Sequence, residues 1–123
     1  MTDSAIARYL AEARNDLDRV DPIDLEGEME AGALVIDIRP EANRRDEGDL
    51  PGALVIERIH LEWRLDPSSP DRVPEVGDDD RVIVVCNEGY ASSLAAATLR
   101  QLGIVGATDL VGGYRAWQAL DDA

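Results

Sequence analysis

The sequence predicts an α/β protein of three layers, with a central, mostly parallel five-stranded sheet and helices on both faces. Three observations predict it. Short, nearly all-apolar runs recur along the chain, and such runs mark strands buried on both sides, as parallel strands are. Segments with helical spacing alternate with these runs, which is the pattern of crossover connections in a parallel sheet. The chain has 123 residues, of which 45% are apolar. That is one domain, long enough to bury a core without disulfide or metal staples.

The elements follow in order. Ile6, Tyr9, Leu10, Ala13 and Leu17 recur at helical spacing, so residues 4–18 read as an amphipathic helix. Asp21 and Pro22 form a helix start, a side-chain cap followed by a proline that needs no amide partner. Leu25, Met29 and Ala31 continue that helix, and Gly32 stops it. Residues 33–37 are a short apolar run, read as a buried strand. Residues 40–49 are polar and read as a short helix or loop. Pro51 and Gly52 make a turn, and residues 53–56 a second strand. Residues 60–64 read as a brief helix carrying Trp63.

Residues 66–80 contain three prolines and no periodicity, and read as a long surface loop. Residues 81–85 are the most strand-like run in the chain. Residues 87–91 follow as a small polar loop, and Ser92 or Ser93 is expected to cap the next helix. Leu94, Ala95, Thr98, Leu99 and Leu102 are expected on its buried face, and Gly103 ends it. Residues 107–111 give another strand, Gly112 and Gly113 a turn, and residues 114–120 a last helix. Both Trp63 and Trp117 are expected in the core rather than as ligand platforms.

Charge narrows the function. The net charge is −14, from 26 acidic and 12 basic residues, and every basic residue is arginine. So negative a surface repels phosphate backbones and anionic headgroups, which argues against nucleic-acid and membrane partners. An anionic small substrate would need local attraction against that field. The single cysteine, Cys86, rules out an internal disulfide and fits a reducing compartment. The N-terminus lacks an apolar signal-peptide core and no run reaches membrane-spanning length, so a cytoplasmic location is expected. With one Cys and one histidine, His60, no zinc site of the usual type is expected. No cofactor is called for.

Cys86 closes the best strand, and a helix begins a few residues later. Sites in open α/β sheets form at this end of the strands. A tight loop there turns successive amides toward one point, and the new helix adds its positive end. Both favour a thiolate, so Cys86 is the candidate nucleophile. Gly89 gives the loop backbone freedom. Asn87, Glu88, Gly89, Tyr90, Ala91 and Ser92 are the candidate loop that surrounds the sulfur.

Four motifs in this order carry a resemblance. They are Val35-Ile36-Asp37-Ile38-Arg39, Gly48-Asp49-Leu50-Pro51-Gly52-Ala53, the loop C-N-E-G-Y-A-S from Cys86, and a closing stretch with Leu102-Gly103, Gly112-Gly113 and Ala116-Trp117. Together they resemble the rhodanese family, over about residues 20–120. The resemblance implies a rhodanese-like domain at 20–123, with residues 1–19 as an extra N-terminal helix. It implies a sulfurtransferase in which Cys86 takes a sulfane sulfur from a donor as a persulfide and passes it to a thiol or to cyanide. Partners would then be a small-molecule donor and acceptor or a protein persulfide. A non-catalytic binding or redox-sensing module, or a persulfide carrier for one protein partner, are the competing readings. Cysteine phosphatases use C-x5-R, whereas Ser92 stands in the arginine position here and the loop holds no arginine.

Other residues are assigned around this centre. Arg58 follows the second strand and is the candidate for attracting an anionic donor. Arg44, Arg45 and Arg64 are weaker candidates. Asp37 and Arg39 are expected to be structural supports. His60 is expected to be structural or exposed, and Tyr90 to shape the pocket mouth. Glu88 in the loop, where thiosulfate-using rhodaneses often carry basic residues, predicts poor use of thiosulfate.

Overall fold

A computed structural model describes residues 4–77 and 79–120. Its centre is a parallel sheet of four strands: β1 (Leu34–Asp37), β2 (Leu54–Val55), β3 (Val82–Val85) and β4 (Ala107–Asp109), in the order β2-β1-β3-β4. β1 pairs with β3 from Leu34↔Val82 to Asp37↔Val85, and β4 continues the sheet from Val82↔Ala107. The five-stranded expectation is therefore corrected. The fifth place is held by one residue: Val20 bridges Leu110, donating its N–H to Asp109 O at 2.9 Å. It extends no further because Pro22 has no N–H to donate and begins a 3-10 turn, Pro22–Asp24.

Helices cover both faces. α4 (Leu61–Leu65) and α5 (Ala91–Gln101) pack on one; α2 (Leu25–Glu30) and α6 (Gly113–Ala119) pack on the other. The period of two along a strand divides the core between them. Ile36, Val82 and Val84 meet Leu61, Leu65, Ala95 and Leu99, whereas Val35, Ile83 and Val85 meet Leu25, Leu110 and Tyr114. Every one of these strand side chains is at most 1% exposed, which is why the runs are apolar throughout rather than alternating. α3 (Glu41–Glu47) joins β1 to the turn before β2, and α1 (Ala5–Arg14) packs outside α5.

Several elements differ from expectation. α1 ends at Arg14 rather than near residue 18, and buries no residue fully; Ile6 and Tyr9 are exposed. Its start is capped by Ser4, whose hydroxyl accepts the Ala7 N–H at 3.2 Å. Asp21 makes no side-chain cap bond. Trp63 is 60% exposed and not core, because Leu61 and Leu65 already occupy the inward face of that short helix. Trp117 is half-buried against Tyr114, their rings 5.6 Å apart. The buried face of α5 consists of Ser92, Ser93, Ala95, Ala96 and Leu99, while Leu102 is exposed. The loop at 66–80 holds its place through Val73 and Val76, both buried.

Candidate active site

β3 ends at Val85, so Cys86 is the first residue beyond it rather than its last. Ile38 N–H bonds Val85 O at 2.9 Å, and Tyr114 N–H bonds Cys86 O at 2.9 Å, so backbone from two elements fixes the cysteine on both sides. Its residue is 8% exposed. The loop then folds back over the sulfur. The N–H groups of Gly89 and Ser92 point to Cys86 Sγ at 3.1 and 3.3 Å. Ser92 lies in the first turn of α5, so its donor is one of the amides that a helix start leaves free. Two amide donors and a helix start stabilise negative charge on that sulfur.

The loop closes this tightly because of glycine. Gly89 has φ +88°, and a Cβ there would come within 2.7 Å of Gly112 N. Gly113 has φ +66°, and a Cβ would come within 2.5 Å of Cys86 O and 2.7 Å of Asn87 C. Gly113→Ala is therefore expected to push α6 off the loop and to cost about 1–3 kcal/mol. Urea unfolding measures the cost; a change below about 0.5 kcal/mol would show that the loop yields freely.

Neither serine is a helix cap. Tyr90 takes that position without a side-chain bond. Ser92 and Ser93 instead donate their hydroxyls to Asp109 Oδ2, each at 2.7 Å. Asp109 is fully buried at the end of β4 and is also gripped by Arg19, at 2.8 Å to Oδ1. Arg14 donates to Gly89 O at 2.7 Å. The sequence reading missed Arg14, Arg19, Ser93 and Asp109. Arg14, Arg19 and Asp109 are distant in the chain from the cysteine, and no local pattern sets them apart from solvated charges; Ser93 lies close in sequence but reads there only as a helix cap.

Cys86 opens into a cleft of about 370 Å³, lined among others by Ile38, Arg58, Glu88, Tyr90 and Ala91. A wider hollow of about 520 Å³, between Leu25, Met29, Leu50 and Trp117, is not lined by the cysteine. The cysteine, not the volume, identifies the site. Tyr90 is 62% exposed at the cleft. Arg58 reaches the cleft, but its Nη1 lies 2.9 Å from both oxygens of Glu62, so its charge is already engaged. Glu88, at the same cleft, is paired with Arg115 at 3.1 Å. Asn87 donates to Glu47 Oε2 at 3.2 Å, and Arg115 bonds Glu47 Oε1 at 3.1 Å. The Arg115 hydrogen bond, then those of Asn87 and Asn43, hold the Glu47 carboxyl below the usual range despite some desolvation. This brace is present above the ordinary glutamate range and is lost as pH falls through the depressed value.

Asp37 and Arg39 form a buried ion pair behind the cleft: Arg39 Nη2 bonds Asp37 Oδ2 at 2.8 Å and Nε bonds Oδ1 at 3.1 Å. Arg44 and Arg45 flank a separate groove with Glu41 and Asp49, and Arg64 donates to Asp71 O. His60 is exposed in the 3-10 turn before α4.

Comparison with known proteins bears on the family and the fold. The thiosulfate sulfurtransferase GlpE of Stutzerimonas stutzeri (strain A1501) is 30% identical over 103 residues, 84% of this chain and 86% of that protein. The adenylyltransferase and sulfurtransferase MOCS3-1 of Zea mays is 31% identical over 84 residues, 68% of this chain. The chain spans only 18% of the length of that larger relative. A solved structure from Rhodopseudomonas palustris CGA009, a protein of unknown function described as a possible tyrosine phosphatase, superposes with a TM-score of 0.85 at 27% identity. The match covers 98% of this chain and 94% of that one. The family model described as a rhodanese-like domain matches residues 21–120, and the chain belongs to that family.

Proposed function

We propose that this protein is a sulfurtransferase that carries sulfane sulfur on Cys86 as a persulfide and hands it to a thiol or a cyanide-like acceptor. The observation that carries this reading is the pair of amides, Gly89 and Ser92, aimed at the only cysteine sulfur, which opens into a mainly apolar cleft. In the first step the Cys86 thiolate attacks the donor's outer sulfur. A sulfur–sulfur bond forms, and the donor remnant leaves with the electron pair of the bond that breaks. In the second step the acceptor attacks the outer sulfur of the persulfide. Cys86 leaves as thiolate, and cyanide would leave as thiocyanate. No net oxidation occurs and no separate base is needed. The loop amides hold the negative charge that each step places on sulfur.

The loop fits sulfur better than phosphate. A phosphate would call for an arginine fork at the loop's end, where Ser92 instead turns its hydroxyl to Asp109. Intact mass after incubation with a polysulfide tests the proposal. One added sulfur atom, removed by cyanide or dithiothreitol, is the expected result; a chain that takes up no sulfur from any donor would favour a binding module instead.

Thiosulfate is expected to be a poor donor. Arg58 and Arg39 are each committed to a carboxylate, and Glu88 stands at the cleft with only an exposed partner, Arg115. Steady-state kcat/KM for thiosulfate is expected to fall about tenfold or more below that for polysulfide, and Glu88→Gln to narrow the gap by about two- to fivefold. Thiosulfate turnover equal to polysulfide turnover in the unaltered chain would contradict this.

A further inference from the structure

The loop Cys86–Ala91 contains no basic residue, in a chain of net charge −14. Two guanidinium groups reach it from the other end of the sequence. Arg14, in the last turn of α1, donates Nη2 to Gly89 O at 2.7 Å and Nε to Ser93 Oγ at 3.0 Å. Arg19, after α1, donates Nη2 to the same carbonyl at 3.1 Å and grips Asp109 at 2.8 and 3.2 Å. The Arg14 guanidinium also lies 5.9 Å from the centre of the Tyr90 ring. Both arginines precede the segment, 21–120, that matches the family model.

We propose that Arg14 and Arg19 are positioning residues of the sulfur site, supplying from the N-terminal segment the cations that the loop lacks. The proposal rests on the reading of Cys86 as a carrier of anionic sulfur. Two effects support it. The first is geometric. Gly89 presents its N–H to Cys86 Sγ and its carbonyl to the arginines. A carbonyl held by two guanidinium groups is not free to swing toward the sulfur, where its negative end would repel a thiolate or persulfide. The glycine that makes the tight loop possible is also the residue most able to turn over, so it is the one that needs an anchor.

The second effect is electrostatic. Two guanidinium groups meet one buried carboxylate, Asp109, so the cluster holds one positive charge in excess among the described residues. Burial, and then the neighbouring Arg19, lower the Arg14 pKa from the ordinary arginine value, and the Asp109 carboxylate opposes that. Arginine stays protonated through such a shift. The excess charge lies under the loop and offsets the acidic surface where sulfur is negative.

Because Cys86 is the only cysteine, its alkylation reads the site alone. The sulfur displaces iodide and forms a sulfur–carbon bond with either iodoacetamide, which is neutral, or iodoacetate, which is an anion. Arg14→Gln and Arg19→Gln in the full chain are each expected to slow iodoacetamide. They are also expected to lower the iodoacetate-to-iodoacetamide rate ratio by about two- to fivefold at low salt, an effect that 1 M salt removes. Arg14→Lys is expected to keep the ratio and lose part of the rate, since an ammonium keeps the charge but not the fork. Thermal unfolding of each variant is followed alongside. A ratio that does not move in folded Gln variants overturns the proposal. Should the Gln variants not fold, an undiminished iodoacetamide rate in Arg14→Lys overturns it. Sulfur loading of the unaltered chain is read separately. A chain that never loads while the ratio falls sinks sulfur transfer and leaves the arginines' role; loading with an unmoved ratio does the reverse.

Discussion

Cys86→Ser is expected to abolish sulfur uptake while leaving the fold intact. A serine oxygen is no acceptor for sulfane sulfur, and no other residue of the chain can take its place, since the sequence has one cysteine. The loss is therefore to background, not partial. Stability should change by less than about 1 kcal/mol, because the hydroxyl still accepts from the two amides that now point at sulfur. The side chain is also small and 8% exposed, so little apolar burial is forfeited. The measurement is paired. Intact mass after polysulfide treatment should show no added sulfur, and the urea midpoint should remain near that of the unaltered chain. Retained uptake would place the sulfur elsewhere and remove Cys86 from the mechanism. A collapse of stability would mean that the sulfur is chiefly a packing group.

The residues of this loop were legible in the sequence; the structure holding them was less so. A β-branched run ending at a cysteine, with Gly89 after it and a small-residue helix beyond, is local information, and local information sets strand, turn and helix. The apolar runs at β1 and β3 were legible for the same reason. The strand count was not, because pairing of Val20 with Leu110 is a long-range event that Pro22 cuts short after one residue, which leaves four strands where five were expected. The position of Trp63 depended on which face of a five-residue helix turned inward, and five residues carry too little periodicity to say. Ser92 and Ser93 have the side chains of helix caps, but a fully buried carboxylate 16 or 17 residues later offers them a charged acceptor, and that wins. Arg14 and Arg19 belong to the same class. Their contacts with Gly89 span 75 and 70 residues, and in sequence they are ordinary helix-end charges. The nucleophile was thus readable from its own segment, whereas the groups that hold its loop come from β4 and the N-terminal segment, and become visible only once those are brought together.

Arg39→Ala is expected to destabilise the chain by about 3–5 kcal/mol, more than any other side-chain truncation considered, because it strips a buried ion of its partner. The Arg39 side chain is fully buried, Asp37 is 1% exposed, and the two share a fork of 2.8 and 3.1 Å. The guanidinium also donates to Gly48 O at 2.9 Å and lies 3.8 Å from the Tyr114 ring centre, while Tyr114 donates its hydroxyl to Glu47 O at 2.8 Å. One side chain thereby ties the end of β1 to the end of α3 and to α6, the three supports behind the cleft. Truncation leaves the Asp37 carboxylate buried with only a backbone donor, the Arg39 N–H at 3.0 Å, and opens a void against Tyr114. Most of the cost should be that stranded charge rather than the worth of the pair itself. A double replacement separates the two. Arg39→Met with Asp37→Asn removes both charges and refills most of the volume, so it should be less damaging than Arg39→Met alone by about 1–3 kcal/mol. Urea unfolding of the single and double variants measures the difference. If the double variant is as unstable as the sum of the two single variants, the side chains are not coupled and the stranded charge is not the main cost. If it recovers, the pair's contribution is to hold α3 and α6 in register behind Cys86, and its loss should then appear as slower alkylation of that sulfur in a chain that is still folded.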